Sequence, residues 1–124
     1  MEKPISRQMH GVADYLYAPL TFAAPKVAGF EDEDKAVTIC QVVGAGLMAS
    51  TLLTKAEWGV CKVLPFKAHL ALDVAVSLFS LAAPWLFGFA KNAKARNTFI
   101  AMGTVGAIVT SLTEPKEMMF EWDS

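Results

Sequence analysis

The pattern His-x-x-x-Asp occurs twice in the chain, as His10 with Asp14 and as His69 with Asp73. In a helix, residues four apart lie on one face, about 6 Å apart along the axis. Imidazole and carboxylate groups in such a pair can share a proton, bind a metal ion or relay protons. Each pair stands near the start of a long stretch that is otherwise almost free of charge. These four side chains are therefore the first candidates for chemistry.

Three interpretations of the two His-Asp pairs stay open. In the first, they form a structural polar network, in which each His bonds its own Asp or an Asp caps a neighbouring helix. In the second, two imidazoles and two carboxylates from facing helices bind zinc or another first-row metal ion. In the third, titrating groups line a path for protons or ions. A bis-histidine haem is disfavoured, because no attachment motif accompanies the histidines.

The charged residues of the chain are concentrated outside four apolar segments. The segments are 10–30, 36–54, 69–90 and 97–113. Of 11 Lys and Arg and 12 Asp and Glu residues, only Asp14, Lys26 and Asp73 fall inside them. A bilayer-spanning helix needs about 17–25 predominantly apolar residues, and all four segments have that length. A soluble bundle would need a polar face on each helix, which the second and fourth segments do not offer.

The two halves of the chain align without a gap at an offset of 59 residues. The alignment places His10 on His69 and Asp14 on Asp73, and it gives 13 identities over positions 10–54. A duplication of this kind predicts two tandem repeats, each a hairpin of two helices. The predicted fold is all-α, a bundle of four transmembrane helices in a single domain. The predicted divisions are repeat 1 at 10–54, repeat 2 at 69–113, and a connecting loop or interfacial helix at 55–68.

Each repeat contains the pattern Ala-Ala-Pro-x-x-x-Gly-Phe near the end of its first helix. Because the residue before a proline avoids the helical conformation, we expect helix breaks at Ala24 and Ala83. The glycine that follows in each repeat can take the left-handed conformation that ends a helix. Trp85 and its counterpart Lys26 suit the level of the lipid headgroups. The motif residues are Pro25, Gly29, Phe30, Pro84, Trp85, Gly88 and Phe89.

The second and fourth apolar segments are rich in Gly, Ala, Ser and Thr. Small residues let membrane helices approach closely, and close packing drives their association in lipid. The glycines predicted as helix–helix contact points are Gly44, Gly46, Gly103 and Gly106. The same surfaces suit a second copy of the chain or a partner in a membrane complex.

The stretch KVLPFKAHLALDVAVSLFSLAAPWLFGF resembles the SPW-repeat family of small membrane proteins, and the resemblance extends over about 3–113. That family carries a Ser-Pro-Trp motif in the first of two transmembrane helices per repeat. Here the motif reads Ala-Pro-Trp at 83–85 and Ala-Pro-Lys at 24–26, so Ser is replaced twice and Trp once. The resemblance implies a four-helix membrane architecture, and it supplies no reaction.

The composition and the motifs exclude several classes of function. A net charge of −1 disfavours a nucleic-acid-binding protein, and two cysteines cannot build a disulfide-rich scaffold. The chain has no nucleophile–base pair, phosphate loop or dinucleotide fingerprint, so we expect no enzyme and assign no catalytic residue. The predicted function is a structural or accessory role for a small integral membrane protein without a cofactor. The alternative is a membrane protein that binds a metal or conducts protons or ions.

The expected location is the bacterial inner membrane, with the lipid bilayer as the main partner. In the predicted topology both chain ends and the 55–68 connection lie on one side. Six Lys and Arg residues fall on that side and four on the other. Because basic residues are enriched in cytoplasmic loops, this bias predicts that both termini are cytoplasmic.

Overall fold

The computed structural model describes residues 3–117, and this part of the chain forms four α-helices and no β-strand. The helices are α1 (Arg7–Ala28), α2 (Asp34–Leu53), α3 (Phe66–Leu86) and α4 (Ala93–Ser111). α1 packs along α2 and α3 packs along α4, which gives two helical hairpins. The hairpins meet where α1 contacts α4 and where α2 contacts α3. The prediction of an all-α fold built from two hairpins is therefore confirmed.

Both ends of the described chain lie with the α2–α3 connection at one end of the bundle. The Ile5 backbone N–H donates to the Leu112 carbonyl at 3.1 Å. The Arg7 guanidinium donates two hydrogen bonds to the Glu57 carboxylate, at 3.0 and 2.8 Å. The two short loops inside the hairpins lie at the opposite end. We call these the terminal end and the loop end of the bundle.

The helices do not break before the prolines, which corrects the prediction for Ala24 and Ala83. α1 continues through Pro25 to Ala28, and α3 continues through Pro84 to Leu86. The preference of a pre-proline residue against the helical conformation is outweighed here by hydrogen bonds that close the last turn. In α1 the N–H groups of the next two residues beyond the helix both donate to the Pro25 carbonyl.

The predicted left-handed glycines follow these last turns. Gly29 has φ 81° and Gly88 has φ 77°, and no other described residue has a positive φ. Glycine reaches this conformation without the steric cost that a Cβ atom imposes. Each glycine therefore ends the first helix of its hairpin and turns the chain toward the second helix.

A hydrophobic cluster fills the loop end of the bundle between the two hairpins. Its buried members are Ala24, Phe30, Ala36, Cys40, Ala83, Phe89, Ala95 and Phe99. Each member from the first hairpin has a counterpart 59 residues later in the second. The buried positions thus repeat at the same 59-residue offset as the predicted duplication. The boundaries of the two repeats stay a prediction.

Glycines on α2 and α4 let the two helices of each hairpin approach closely. A Cβ atom on Gly44 would lie 2.8 Å from the Phe22 backbone nitrogen, and one on Gly103 would lie 2.7 Å from the Ser77 carbonyl oxygen. Gly106 also packs against Ser77, whose Oγ would be 2.5 Å from such an atom. Gly46 differs, because none of the described residues lies within 4 Å of its Cβ position apart from its chain neighbours and its own helix backbone.

The connection between the hairpins is a loop. No helix lies between Leu53 and Phe66, and α3 begins at Phe66, inside the segment 55–68. The Trp58 indole N–H donates to the Gln8 carbonyl at 2.9 Å. This hydrogen bond ties the loop to the start of α1.

Two helices, α2 and α3, are long and apolar enough to cross a membrane. In their most apolar 18-residue windows only 22% of α2 and 33% of α3 is buried within the chain. A core helix of a soluble protein would be mostly buried. Large apolar side chains are also exposed on the other two helices, including Leu16 and Leu20 on α1 and Val105 and Ile108 on α4.

Candidate functional site

The two predicted His-Asp pairs come together in a single cluster near the terminal end of the bundle. One ligand atom from each of His10, Asp14, His69 and Asp73 lies within 4.8 Å of the others. Both histidines and Asp73 are buried, and Asp14 is partly buried. We call these four residues the His–Asp cluster. α1 supplies one His-Asp pair and α3 supplies the other, so the cluster spans both hairpins.

The shortest contacts in the His–Asp cluster cross from one hairpin to the other. His10 Nε2 lies 2.8 Å from Asp73 Oδ2, and His69 Nε2 lies 2.9 Å from Asp14 Oδ2. The contacts within one helix are longer, at 3.3 Å from His10 to Asp14 and 3.2 Å from His69 to Asp73. Each His thus reaches the Asp of its own helix, as in the first interpretation, but its nearer carboxylate belongs to the partner hairpin.

In each histidine of the cluster, the second ring nitrogen, Nδ1, contacts the hydroxyl of one threonine. His10 Nδ1 lies 2.8 Å from Thr113 Oγ1, and His69 Nδ1 lies 2.7 Å from Thr54 Oγ1. These contacts also cross the hairpins, because Thr113 follows α4 and Thr54 follows α2. Each threonine hydroxyl in turn donates to the backbone carbonyl four positions earlier.

This arrangement assigns a proton to the Nδ1 atom of both histidines. A hydroxyl has one hydrogen, and a carbonyl oxygen can only accept. Because the threonine hydrogen goes to the carbonyl, the hydroxyl oxygen accepts from the imidazole, and Nδ1 must be the donor. The Nε2 atoms then face the carboxylates, and a bare lone pair beside a carboxylate oxygen is repulsive. The four groups therefore need two shared protons, which leave the cluster with no net charge, or a cation in their place.

The Phe66 ring covers the His–Asp cluster from the side of the connection. Its centroid lies 5.8 Å from that of His10 in an edge-to-face arrangement and 6.2 Å from that of His69 in a stacked one. Phe66 is itself buried. The apolar cover lowers the local dielectric constant, which strengthens the polar contacts beneath it.

A cavity of about 100 Å³ lies on another side of the cluster. Its polar lining residues are His10, Asp14, Tyr17, Asp73, Ser77 and Thr110, and most of its wall is apolar. The cavity has room for water-sized molecules beside the carboxylates. It therefore gives small polar species a place to reach the cluster.

The sequence prediction identified all four members of the cluster but not the residues that orient them. The 59-residue offset aligns Thr54 with Thr113, but the sequence predicts no role for either threonine, and Phe66 lies in the predicted 55–68 connection. The two threonines follow equivalent helices, α2 and α4, and this equivalence is the one feature of the sequence that could have drawn attention to them. Nothing in their local spacing places them beside a histidine.

The proline–glycine motif lies far from the His–Asp cluster, at the loop end. Phe30 and Phe89 are buried in the hydrophobic cluster, whereas Trp85 is largely exposed. The motif thus terminates helices and packs the loop end. It contributes no group to the His–Asp cluster.

Fold and site together define the class of this protein: an all-α chain of two helical hairpins with a buried His–Asp cluster between them. Residues 8–113 match the SPW repeat domain. The chain belongs to the SPW repeat family, as the resemblance predicted. Comparisons with curated proteins and with solved structures found no match.

Proposed function

We propose that this chain is a small integral membrane protein that crosses the bilayer with all four helices. Its role is structural or accessory, without catalysis. The His–Asp cluster holds the two hairpins together near one membrane surface. The observation that carries this role is that the shortest contact of every imidazole nitrogen in the cluster joins one hairpin to the other.

The membrane location is supported by the exposure of apolar surface. α2 and α3 are long and apolar, yet only 22% and 33% of their apolar windows is buried within the chain. In water, exposed apolar surface costs about 25 cal/mol per Å², whereas lipid removes that cost. Membership of the SPW repeat family supports the same location.

A membrane also explains why the acidic residues are paired. An ionised Asp inside a membrane-spanning helix carries a free-energy cost, and such residues face the bundle interior. Asp14 and Asp73 do so, each beside two imidazoles. Because unpaired charge is costly in lipid, the pairs hold the hairpins in one relative position.

The topology is tested by labelling the two cysteines with a membrane-impermeant thiol reagent. Cys61 is exposed in the connection, whereas Cys40 is buried in α2. With both termini in the cytoplasm, intact cells leave Cys61 unlabelled and permeabilised cells label it. A Cys61→Ser variant controls for Cys40, which stays protected in both.

Two outcomes contradict the topology proposal. Labelling of Cys61 in intact cells places the connection and both termini outside. Release of the protein from membranes by alkaline carbonate shows that it does not span the bilayer.

A further inference from the structure

We propose that the His–Asp cluster is a binding site for one divalent first-row transition metal ion, with zinc as the ion to test. The ligands are Nε2 of both histidines and one carboxylate oxygen each from Asp14 and Asp73. This inference rests on the cluster that joins the hairpins in the proposed function, and it does not depend on the membrane location.

The distances between the candidate ligand atoms support this site. In a tetrahedral zinc site with bonds of about 2.0–2.1 Å, neighbouring ligand atoms lie about 3.3–3.4 Å apart. Asp73 Oδ2 lies 2.8 Å from His10 Nε2 and 3.2 Å from His69 Nε2. Asp14 presents a different oxygen to each histidine, with Oδ2 2.9 Å from His69 Nε2 and Oδ1 3.3 Å from His10 Nε2, so it must turn one of them toward a shared ion. One ligand atom from each of the four residues lies within 4.8 Å of the others. Two of the four nitrogen–oxygen distances are already within about 0.1 Å of the tetrahedral range. The other two need to lengthen by about half an ångström to admit the ion.

The threonines provide the second requirement of a metal site. A histidine that binds a metal through Nε2 usually donates its Nδ1 hydrogen to a fixed acceptor, which sets the tautomer and the orientation of the ring. Thr113 does this for His10, and Thr54 does it for His69. Both Nε2 atoms are thereby turned toward the carboxylates in the form that can donate a lone pair to an ion.

The charge of the cluster matches a divalent ion. Two carboxylates and two neutral imidazoles carry a charge of −2, which two protons or one divalent ion neutralise. The exchange of two protons for one such ion leaves the buried site neutral, so it costs little electrostatic energy in a low dielectric. Each ion bound should therefore release two protons.

The ligand types select the class of ion. Calcium and magnesium prefer sites made of oxygen atoms alone, whereas two imidazoles favour zinc and its neighbours. Four protein ligands leave no open position, which is typical of a structural rather than a catalytic site. The cavity borders three of the four ligand residues, His10, Asp14 and Asp73.

The test is a titration of the metal-free protein in detergent with Co²⁺, followed by displacement with Zn²⁺. The protein carries Cys61→Ser, so that its exposed thiol does not bind the metal, and it has no histidine tag. We expect one Co²⁺ per chain with the absorption spectrum of tetrahedral coordination. We also expect two protons released per ion, measured with an indicator dye in weak buffer.

Matched variants locate the ion. Asp73→Asn should abolish stoichiometric binding, whereas Asp32→Asn, the same change at an exposed position of the loop end, should leave it intact. Thr113→Val keeps all four ligands and removes only the hydroxyl that orients His10. It should weaken affinity by about 10–100-fold, as is usual for the groups that orient metal ligands.

Several results overturn the metal site. The proposal is wrong if neither Co²⁺ nor Zn²⁺ binds, or if binding releases no protons. It is also wrong if stoichiometric binding persists in Asp73→Asn. If Asp73→Asn does not fold, the test rests on the protein with all four ligands, through its Co²⁺ absorption spectrum and the number of protons released per ion. If no metal binds but His10 and Asp73 show strong energetic coupling, the metal site is wrong, whereas the proposal that the cluster joins the hairpins stands.

Discussion

His10 on α1 places its Nε2 atom 2.8 Å from Asp73 Oδ2 on α3, closer than the 3.3 Å to Asp14 of its own helix. The two residues are 63 positions apart in the sequence. Because this contact is buried, loss of one partner should destabilise the protein, and the group that remains keeps only the longer contact within its own helix, 3.3 Å for His10 with Asp14 or 3.2 Å for Asp73 with His69. The cluster is therefore a tertiary link between hairpins rather than a local feature of one helix.

A double-mutant cycle distinguishes the crossed pair from the pair within α1. We expect a coupling energy of about 1–3 kcal/mol between His10→Gln and Asp73→Asn, and a smaller one between His10→Gln and Asp14→Asn. The reason is that the hydrogen bond from His10 to Asp73, which joins the two hairpins, is shorter than its contact with Asp14. The free energy of unfolding in mixed micelles measures both cycles. A larger coupling with Asp14 would show that the local pair dominates.

Replacement of the threonines that orient the histidines should destabilise the protein without any change of charge. Thr113→Val and Thr54→Val each remove the acceptor of a buried imidazole N–H, which costs about 1–3 kcal/mol. Thr98→Val is the matched control, because Thr98 donates the same kind of bond to the carbonyl four positions earlier, but that hydrogen bond is exposed. It should change the free energy of unfolding by less than about 0.5 kcal/mol. Equal effects in all three variants would contradict the role given to the cluster.

Alanine substitutions of the glycines test the packing within each hairpin. Gly44→Ala and Gly103→Ala insert a methyl group where backbone or side-chain atoms of the neighbouring helix stand within 3 Å. They should lower the free energy of unfolding by about 1–3 kcal/mol. Gly46→Ala has open space and should raise it by up to about 1 kcal/mol, through better helix propensity. A clear loss of stability in Gly46→Ala would instead indicate contact with a second chain.

The ion pair at the terminal end predicts a small acid dependence of stability. The two hydrogen bonds from Arg7 are the main reason that the pKa of Glu57 lies below its ordinary value of 4.5. A carboxylate with a lowered folded-state pKa stabilises the protein above its unfolded pKa, and the contribution is lost as the pH falls through the folded pKa. Because the pair is partly exposed, we expect less than about 1 kcal/mol.

The measurement is the difference in melting temperature between the unsubstituted protein and Glu57→Gln, followed from pH 7 to pH 3. The unsubstituted protein should be the more stable at pH 7, and the difference should shrink toward pH 3. A difference that is constant over this range would show that the ion pair does not contribute.

The order of the helices could be predicted from the sequence alone. Four stretches of suitable length that are nearly free of charge indicate the elements, and the 59-residue offset pairs Gly29 with Gly88 and Phe30 with Phe89. These features are local, since helix length, turn chemistry and apolar patterning depend on near neighbours in the chain. The prediction of helix breaks before the prolines was wrong, because hydrogen bonds in the last turn outweighed the preference of a pre-proline residue against the helical conformation.

The sequence also determined which side chains belong to the candidate site, but only the tertiary structure decided how they pair. Spacing of four residues puts His10 and Asp14 on one face, because helix geometry requires it. Whether Asp73 lies nearer to His10 depends on how closely two hairpins pack, and on rotamers that Thr113 and Phe66 hold in place. Those contacts join residues far apart in the chain, so no local pattern encodes them.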